Sequence, residues 1–300
     1  MSIGIVSHDS GGAELLSLFL RELERDLIFN FSIAGPALKI FDKNFEVKHI
    51  CGLEEMLKFS NMVFTTLSWG SNIEKKAIKL SQELGLKCFT FLDHWNFTKN
   101  DLMLDGITYY PTAFILSDEY AYERASIEFP EVSLFLIENL YIKSVISEFN
   151  VIDKHRVKSE QNQILFLSEP IENHQNLNLL SKNNFETSST NSFSELEGFE
   201  FFIDKMKNLG IDFDRIVIRP HPSDNISKFD QNYFRLSSKI IMSTNENLLI
   251  DIYESRLVVG FHTMAMVVAL RVGKEVFSAI PPGCGPCKLP FLDIKMLRDV

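Results

Sequence analysis

Short apolar runs rich in β-branched residues alternate along the chain with longer stretches of helical period. Ile3–Ser7, Ile28–Ile33, Val47–Ile50, Met62–Thr65, Lys87–Leu92 and Ala113–Leu116 have the length and composition of buried strands. Between them, Ala13–Arg25, Leu53–Phe59 and Asn72–Leu84 read as helices. In the last, Ile73, Ala77, Leu80 and Leu84 recur at three- and four-residue steps, which makes one apolar face, and Gly85 is placed to end it. Strand-helix-strand alternation of this kind predicts a parallel sheet covered by helices on both faces.

The pattern pauses over the polar stretch 150–163 and restarts with a strand at Ile164–Ser168. Ser181–Ser194 is dense in Asn, Ser and Thr and reads as a loop. Beyond it come a helix at Glu195–Leu209, strands at Arg215–Arg219 and Lys239–Ser243, a helix at Glu246–Glu254, a strand at Leu257–Gly260, a helix at Thr263–Val272 and a strand at Glu275–Ala279. The expected architecture is α/β, with two Rossmann-like domains over 1–155 and 156–300 that face each other across a cleft. Such sheets take ligands at the carboxyl ends of their strands.

Length and charge narrow the function. The chain has 300 residues, 45% hydrophobic and 23% charged, with a net charge of −10. An acidic balance disfavours broad capture of nucleic acid, although local basic groups can hold a small anion. No apolar run reaches the ~18 residues a membrane span needs, and no secretory leader is apparent, so a cytoplasmic protein is expected, at most peripheral to the inner face of a membrane. Cys284 and Cys287 have CxxC spacing, but they lie behind two prolines and lack a second pair for zinc; two ordinary loop thiols are expected.

Four strand ends carry polar residues. The first is Ser7-His8-Asp9-Ser10-Gly11-Gly12-Ala13-Glu14, where a double glycine leads into a helix. Glycines let a ligand approach the backbone, and a helix start offers free N–H groups; His8, Asp9 and Glu14 gather around the same turn. The second is Asp93-His94-Trp95, in which the indole either walls a sugar site or closes the core. Thr65 to Gly70, with Ser68 and Trp69, ends a neighbouring strand in similar style. The third is Arg219-Pro220-His221-Pro222. The prolines stiffen the backbone around His221, and the Arg219 guanidinium suits phosphate oxygens. The fourth is Gly260-Phe261-His262-Thr263, with Thr263 placed to cap a helix whose start meets a phosphate. Ser168 and Glu169, ending the first strand of the second half, are a fifth contributor. HExxH, P-loop, GxSxG and GxGxxG patterns are absent, so neither a metal nor a tightly held cofactor is expected.

His221-Pro222 and His262-Thr263 together resemble motifs of bacterial GT-B glycosyltransferases that use CMP-activated acidic sugars, among them sialyltransferases and Kdo and nonulosonic-acid transferases. In that family a His-Pro motif contacts the CMP phosphate and a later motif at a helix start, usually Ser-Ser or Ser-Thr, completes the grip; here the second reads His-Thr. The resemblance implies transfer from a nucleotide-sugar co-substrate to a bacterial surface glycan or lipid-linked acceptor. The donor would sit in the second half on Ser168, Glu169, Arg219, His221, Pro222, His262 and Thr263. The acceptor would meet Gly11, Gly12, Glu14, Asp93, His94 and Trp95 in the first, with Asp9 as general base and His8 beside it. A CDP-polyol phosphotransferase, a nucleotide-sugar epimerase and a non-catalytic nucleotide-binding assembly subunit are the alternatives.

Overall fold

The computed structural model describes the chain except for residues 24, 25, 46, 48, 69, 157–161, 172–191, 222, 223 and 230. Pro222, Trp69 and most of the expected 181–194 loop therefore lie outside the described residues. The chain divides into two compact units, Met1–Lys143 and Ser144–Val300, and the division falls inside a helix, Leu140–His155. Among the described residues no helix is long and apolar enough to cross a membrane.

Unit 1 runs β1 (Ser2–Ser7), α1 (Ser10–Glu22), β2 (Ile28–Ile33), α2 (Ala37–Asn44), α3 (Leu53–Lys58), β3 (Met62–Thr65), α4 (Ile73–Glu83), β4 (Lys87–Leu92), β5 (Met103–Leu104), β6 (Ile107–Thr108), β7 (Ala113–Leu116), α5 (Glu119–Glu128) and β8 (Ser133–Leu136); α6 is the dividing helix Leu140–His155. Six strands form one parallel sheet in the order β2-β1-β3-β4-β7-β8. Alternate residues of each strand feed opposite layers. Ile3, Ile5, Phe64 and Ile115 pack on one side, while Val6, Val63, Phe114 and Leu116 pack on the other. Buried on both faces, these strands are continuous apolar runs, which is why they are visible in the sequence.

One expected strand is absent here, and one observed strand was not expected. Val47–Ile50 is no strand: among its described residues Ile50 alone makes a parallel bridge, to Phe31. Conversely, β8 is an edge strand with Phe135 52% and Leu136 47% exposed, and so lacks the fully buried character that marked the others. The short β5–β6 hairpin turns on Asp105 and Gly106, both at positive φ (52° and 79°). An Asp-Gly pair between apolar residues is the local signal that would have found it.

Unit 2 continues with β9 (Gln163–Leu167), α7 (Glu195–Asn208), β10 (Arg215–Arg219), α8 (Gln231–Phe234), β11 (Ile240–Met242), α9 (Leu248–Glu254), β12 (Ser255–Gly260), α10 (Met264–Arg271), β13 (Glu275–Ser278) and β14 (Ile294–Met296). Its parallel sheet has the order β11-β10-β9-β12-β13-β14. The core is built on phenylalanine. Phe166 of β9 meets Phe199 of α7 edge-on at 4.7 Å, Phe202 at 5.7 Å and Phe261 at 5.6 Å. Such pairs add about 0.5–1.5 kcal/mol each beyond the area they bury, and they give part of the chain's 26 Phe a structural role.

Each sheet has one point where the winding reverses. In unit 1 it lies between β1 and β3, and in unit 2 between β9 and β12. The connections diverge there, leaving a crevice beyond the carboxyl ends of the two strands.

Candidate functional site

At the unit 1 reversal, β1 delivers Ser7, His8 and Asp9, and β3 delivers Thr65, Thr66 and Ser68. The Ser7 and Thr66 hydroxyls are 3.0 Å apart and tie the two strand ends together. His8 Nδ1 lies 2.6 Å from Asp9 Oδ1, and both side chains are partly exposed. Asp9 occupies the N-cap position of α1 but makes no capping bond through its side chain. Its carboxylate is directed to His8 instead. The ring of His8 rests on Gly35, whose φ is +59° and where a Cβ would sit 2.5 Å from Nε2. Glycine is required there both for the left-handed backbone and for the imidazole.

The double glycine has a different purpose from the one expected. A Cβ on Gly11 would lie 2.1 Å from Asp93 Oδ2, and one on Gly12 would lie 2.6 Å from Thr66 Cβ. The space those glycines leave is filled by side chains from β4 and β3, so on that side neither lies open to an acceptor. Glu14 is also engaged within the unit, accepting a hydrogen bond from Asn44 at 2.9 Å. Trp95 packs against the core of unit 1 and donates its indole N–H to Asp118 at 2.9 Å. It closes the core rather than standing as a free sugar wall.

Two more acids complete this edge. Glu74, in the first turn of α4, is fully buried and accepts from Ser68 Oγ at 2.9 Å. Burial pushes its carboxyl above the ordinary range against the hydrogen bonds that lower it, and the charge of Asp9 adds to the rise. Asp93 is raised in the same way, mainly by burial, with Asp9 again contributing and His94 opposing. Among the described residues Asp93 Oδ1 has no hydrogen-bond partner. The charge of Asp9 thus bears on both Glu74 and Asp93, and a like charge beside a carboxyl in low dielectric favours its neutral form. Glu74 escaped the sequence reading because it lies in a helix whose apolar positions set the visible pattern. The run of hydroxyls at Thr65, Thr66 and Ser68 just before that helix was the available hint.

At the unit 2 reversal, Ser168 and Glu169 follow β9, and Phe261, His262 and Thr263 follow β12. The structure brings Glu169 and His262 together: the His262 backbone N–H donates to Glu169 Oε2 at 3.1 Å, and His262 Nε2 lies 3.3 Å from Oε1. Burial drives the Glu169 carboxyl up to about 7, with the His262 N–H opposing, Glu195 adding to the rise and Lys288 opposing it. Thr263 stands at the N-cap of α10, but its hydroxyl makes no capping bond, contrary to expectation. The donors of the first turn are thus left uncapped by that side chain.

The Arg219-Pro220-His221 turn also departs from expectation. Arg219 Nη1 donates to Asp251 Oδ2 at 2.6 Å and to the carbonyl of Asn245 at 2.9 Å, and Nη2 donates to the carbonyl of Glu246 at 2.8 Å. Asp251 is buried and receives Ser243 and Asn245 as well. Most of the guanidinium fork is therefore occupied in binding the β11–α9 connection to the end of β10, so Arg219 is not a free clamp. The stiffening of His221 comes partly from Asp224. That carboxylate accepts the His221 backbone N–H at 2.9 Å, while the Asp224 N–H returns to the His221 carbonyl at 2.8 Å. Ser168 Oγ donates to Asp224 Oδ2, and Lys228 donates to Oδ1 at 2.6 Å and to Glu195. Ser168 thereby serves the turn that carries His221.

Cys284 and Cys287 are free thiols packed against the unit 2 core, and burial raises both. Among the described residues no group of three His, Cys, Asp or Glu is arranged to hold a metal ion.

No family model and no curated relative matches the sequence. Solved structures do resemble the fold. The S. aureus MnaA–UDP co-structure matches with a TM-score of 0.60 at 11% identity, covering 92% of this chain and 78% of that one. A UDP-GlcNAc 2-epimerase from Neisseria meningitidis bound to UDP-GlcNAc matches with a TM-score of 0.55 at 11% identity, covering 89% and 79%. A glycosyltransferase from Rickettsia africae ESF-5 matches with a TM-score of 0.53 at 14% identity, covering 92% and 78%. The two parallel six-stranded α/β sheets thus have the GT-B type of fold, in keeping with the architecture expected from the sequence.

Proposed function

We propose that this chain is a nucleotide-sugar-dependent glycosyltransferase, with the nucleotide held at the winding reversal of unit 2. The observation that carries the reading is the junction of β9 and β12. There the α10 start, its donors uncapped by Thr263, stands beside His262 and a carboxyl that neutralises near pH 7. A helix start attracts phosphate, and a carboxyl that can hold a proton does not repel it as a fixed anion would. His221, held by Asp224 on the neighbouring strand end, supplies a second donor. In unit 1, Asp9 takes the proton from the acceptor hydroxyl, with His8 holding Oδ1 and steering the carboxylate. The acceptor is a surface glycan or its lipid-linked precursor.

A CMP-activated acidic sugar remains the donor suggested by the His221-Pro222 motif. Two of the similar structures instead contain UDP or UDP-GlcNAc, so both nucleotides belong in the test. A second reading, epimerisation of a nucleotide sugar, draws support from Glu74 and Asp93. Two carboxyls whose hold on a proton is strengthened by burial and by the charge of Asp9 suit proton transfer on a single bound sugar.

Incubation with UDP-, CMP- and GDP-sugars, with and without glycan acceptors, separates these readings. Nucleotide release that needs an acceptor supports transfer. Conversion of the sugar without an acceptor supports epimerisation. Absence of thermal protection by every nucleotide would sink the site itself. Within the transferase reading, His221→Ala weakens nucleotide binding, whereas Asp9→Asn leaves binding intact and abolishes turnover.

A further inference from the structure

The loop after β13 reads Pro281-Pro282-Gly283-Cys284-Gly285-Pro286-Cys287-Lys288, and no role described so far uses it. It is fastened at both ends of its CxxC pair. Cys287 Sγ donates to the carbonyl of Phe261 at 3.3 Å, the residue just before His262 and Thr263. On the other side, Arg298 Nη1 donates to the carbonyl of Cys284 at 2.8 Å, with those of Pro281 and Gly285 at 3.4 and 3.3 Å. Ser278 Oγ reaches the same Phe261 carbonyl at 2.6 Å, and the Ala279 N–H reaches the Gly260 carbonyl at 2.7 Å, so the end of β13 is fixed to the end of β12. The residue that follows the clasped cysteine is Lys288. It is exposed, and no hydrogen bond or ion pair holds its ammonium among the described residues.

Among the described residues, other cations near this edge are occupied. Arg219 is bound to Asp251, Lys228 to Asp224 and Glu195, and Arg298 to the loop carbonyls. Lys288 is different. It is bonded to Cys287, whose thiol is 3.3 Å from the Phe261 carbonyl, so the clasp carries it beside the end of β12 where His262 and Thr263 follow.

We propose that the Cys284–Cys287 loop is a clasp that presents Lys288 to the start of α10, where its ammonium meets the phosphate of the bound nucleotide. This rests on the assignment of a nucleotide to unit 2. It gives the CxxC pair a mechanical role: the thiol of Cys287 is a hydrogen-bond donor to the end of β12. It also supplies the mobile cation that Arg219, committed to Asp251, does not. A lysine on a four-carbon stem acts as a point charge that follows the phosphate, where a guanidinium would demand a fixed geometry.

The test is calorimetric titration of the whole chain with UDP and CMP, and with uridine and cytidine as phosphate-free controls. Lys288→Met should weaken binding of the preferred nucleotide by about tenfold, the usual worth of a charge-assisted contact. It should leave the matching nucleoside unchanged, and its effect should shrink in high salt. Lys288→Arg should restore most of the affinity. Cys287→Ala should lose part of it, and Cys287→Ser, which keeps a donor for the Phe261 carbonyl, should retain it. Equal nucleotide affinity in Lys288→Met and the parent chain overturns this inference alone. So does an equal loss for nucleotide and nucleoside. If the parent chain binds neither nucleotide, the unit 2 assignment falls and this inference falls with it.

Discussion

Glu169 and His262 meet through two contacts, backbone N–H to Oε2 at 3.1 Å and ring Nε2 to Oε1 at 3.3 Å, across the two strands where the unit 2 sheet reverses. The pairing joins the two residues that sequence reasoning had placed at separate strand ends. Its electrostatics are measurable, because burial lifts the Glu169 carboxyl from 4.5 to about 7.

The unfolded chain gives up that proton at lower pH than the folded one. The stabilisation is therefore fully present below about pH 4.5 and is lost as pH rises through about 7. At 1.36 kcal/mol per pH unit the loss is roughly 3 kcal/mol. Glu169→Gln, which cannot ionise, should lack this component. Urea unfolding at pH 5 and pH 8 reads it as the difference between the two proteins. Parallel slopes would mean that Glu169 does not hold its proton in the fold.

Arg219→Met should act on stability before it acts on binding. Removing one partner of a buried pair leaves Asp251 charged and unmatched, at about 3–5 kcal/mol. Asp251→Asn should cost less alone, since the amide still accepts, and the double variant should show strong coupling. A variant with an unchanged melting temperature and lost nucleotide affinity would restore Arg219 as a direct phosphate clamp.

Gly11 and Gly12 make a graded prediction. An alanine methyl at Gly12 meets Thr66 Cβ, close to the backbone of its strand, while one at Gly11 meets the far end of the Asp93 side chain. Gly12→Ala should therefore lose about 1–3 kcal/mol, as overpacked cores do. Gly11→Ala should melt closer to the parent and alter turnover, because its effect is to move a carboxyl. Thermal unfolding beside initial rates distinguishes the two.

Phe166→Ala removes a ring that touches Phe199, Phe202 and Phe261 together. A loss of about 3–5 kcal/mol is expected. Hydrogen exchange at β9 and β12 should report it, with β1 and β3 of unit 1 little changed.

Strands buried on both faces were legible because their residues are apolar almost without interruption: Met62–Thr65 and Ala113–Leu116 have the bounds read from the sequence. Strand β8 was missed and Val47–Ile50 misread for one reason, since a short run does not reveal whether its edge is paired or solvated. At the site, the strand ends carrying Asp9, His221 and His262 were visible as polar residues following apolar ones. The partners were not. Asp251 lies 32 residues from Arg219, and Glu74 lies 65 residues from Asp9, so no local pattern joins them. A guanidinium suits phosphate and carboxylate alike, and only the fold decides which it receives.

The strand order of unit 2 also governs how the chain is made. Strand β9 pairs with β10 about 50 residues later, but its other neighbour, β12, begins at Ser255, opposite Gln163. During synthesis the central strand of the second sheet therefore waits with one hydrogen-bonding edge open until some ninety further residues have emerged. An unpaired edge of Ile164, Leu165 and Phe166 is a template for pairing with a neighbouring chain. Fragments that stop before Ser255 should accordingly aggregate on expression, and those that extend through β13 should not.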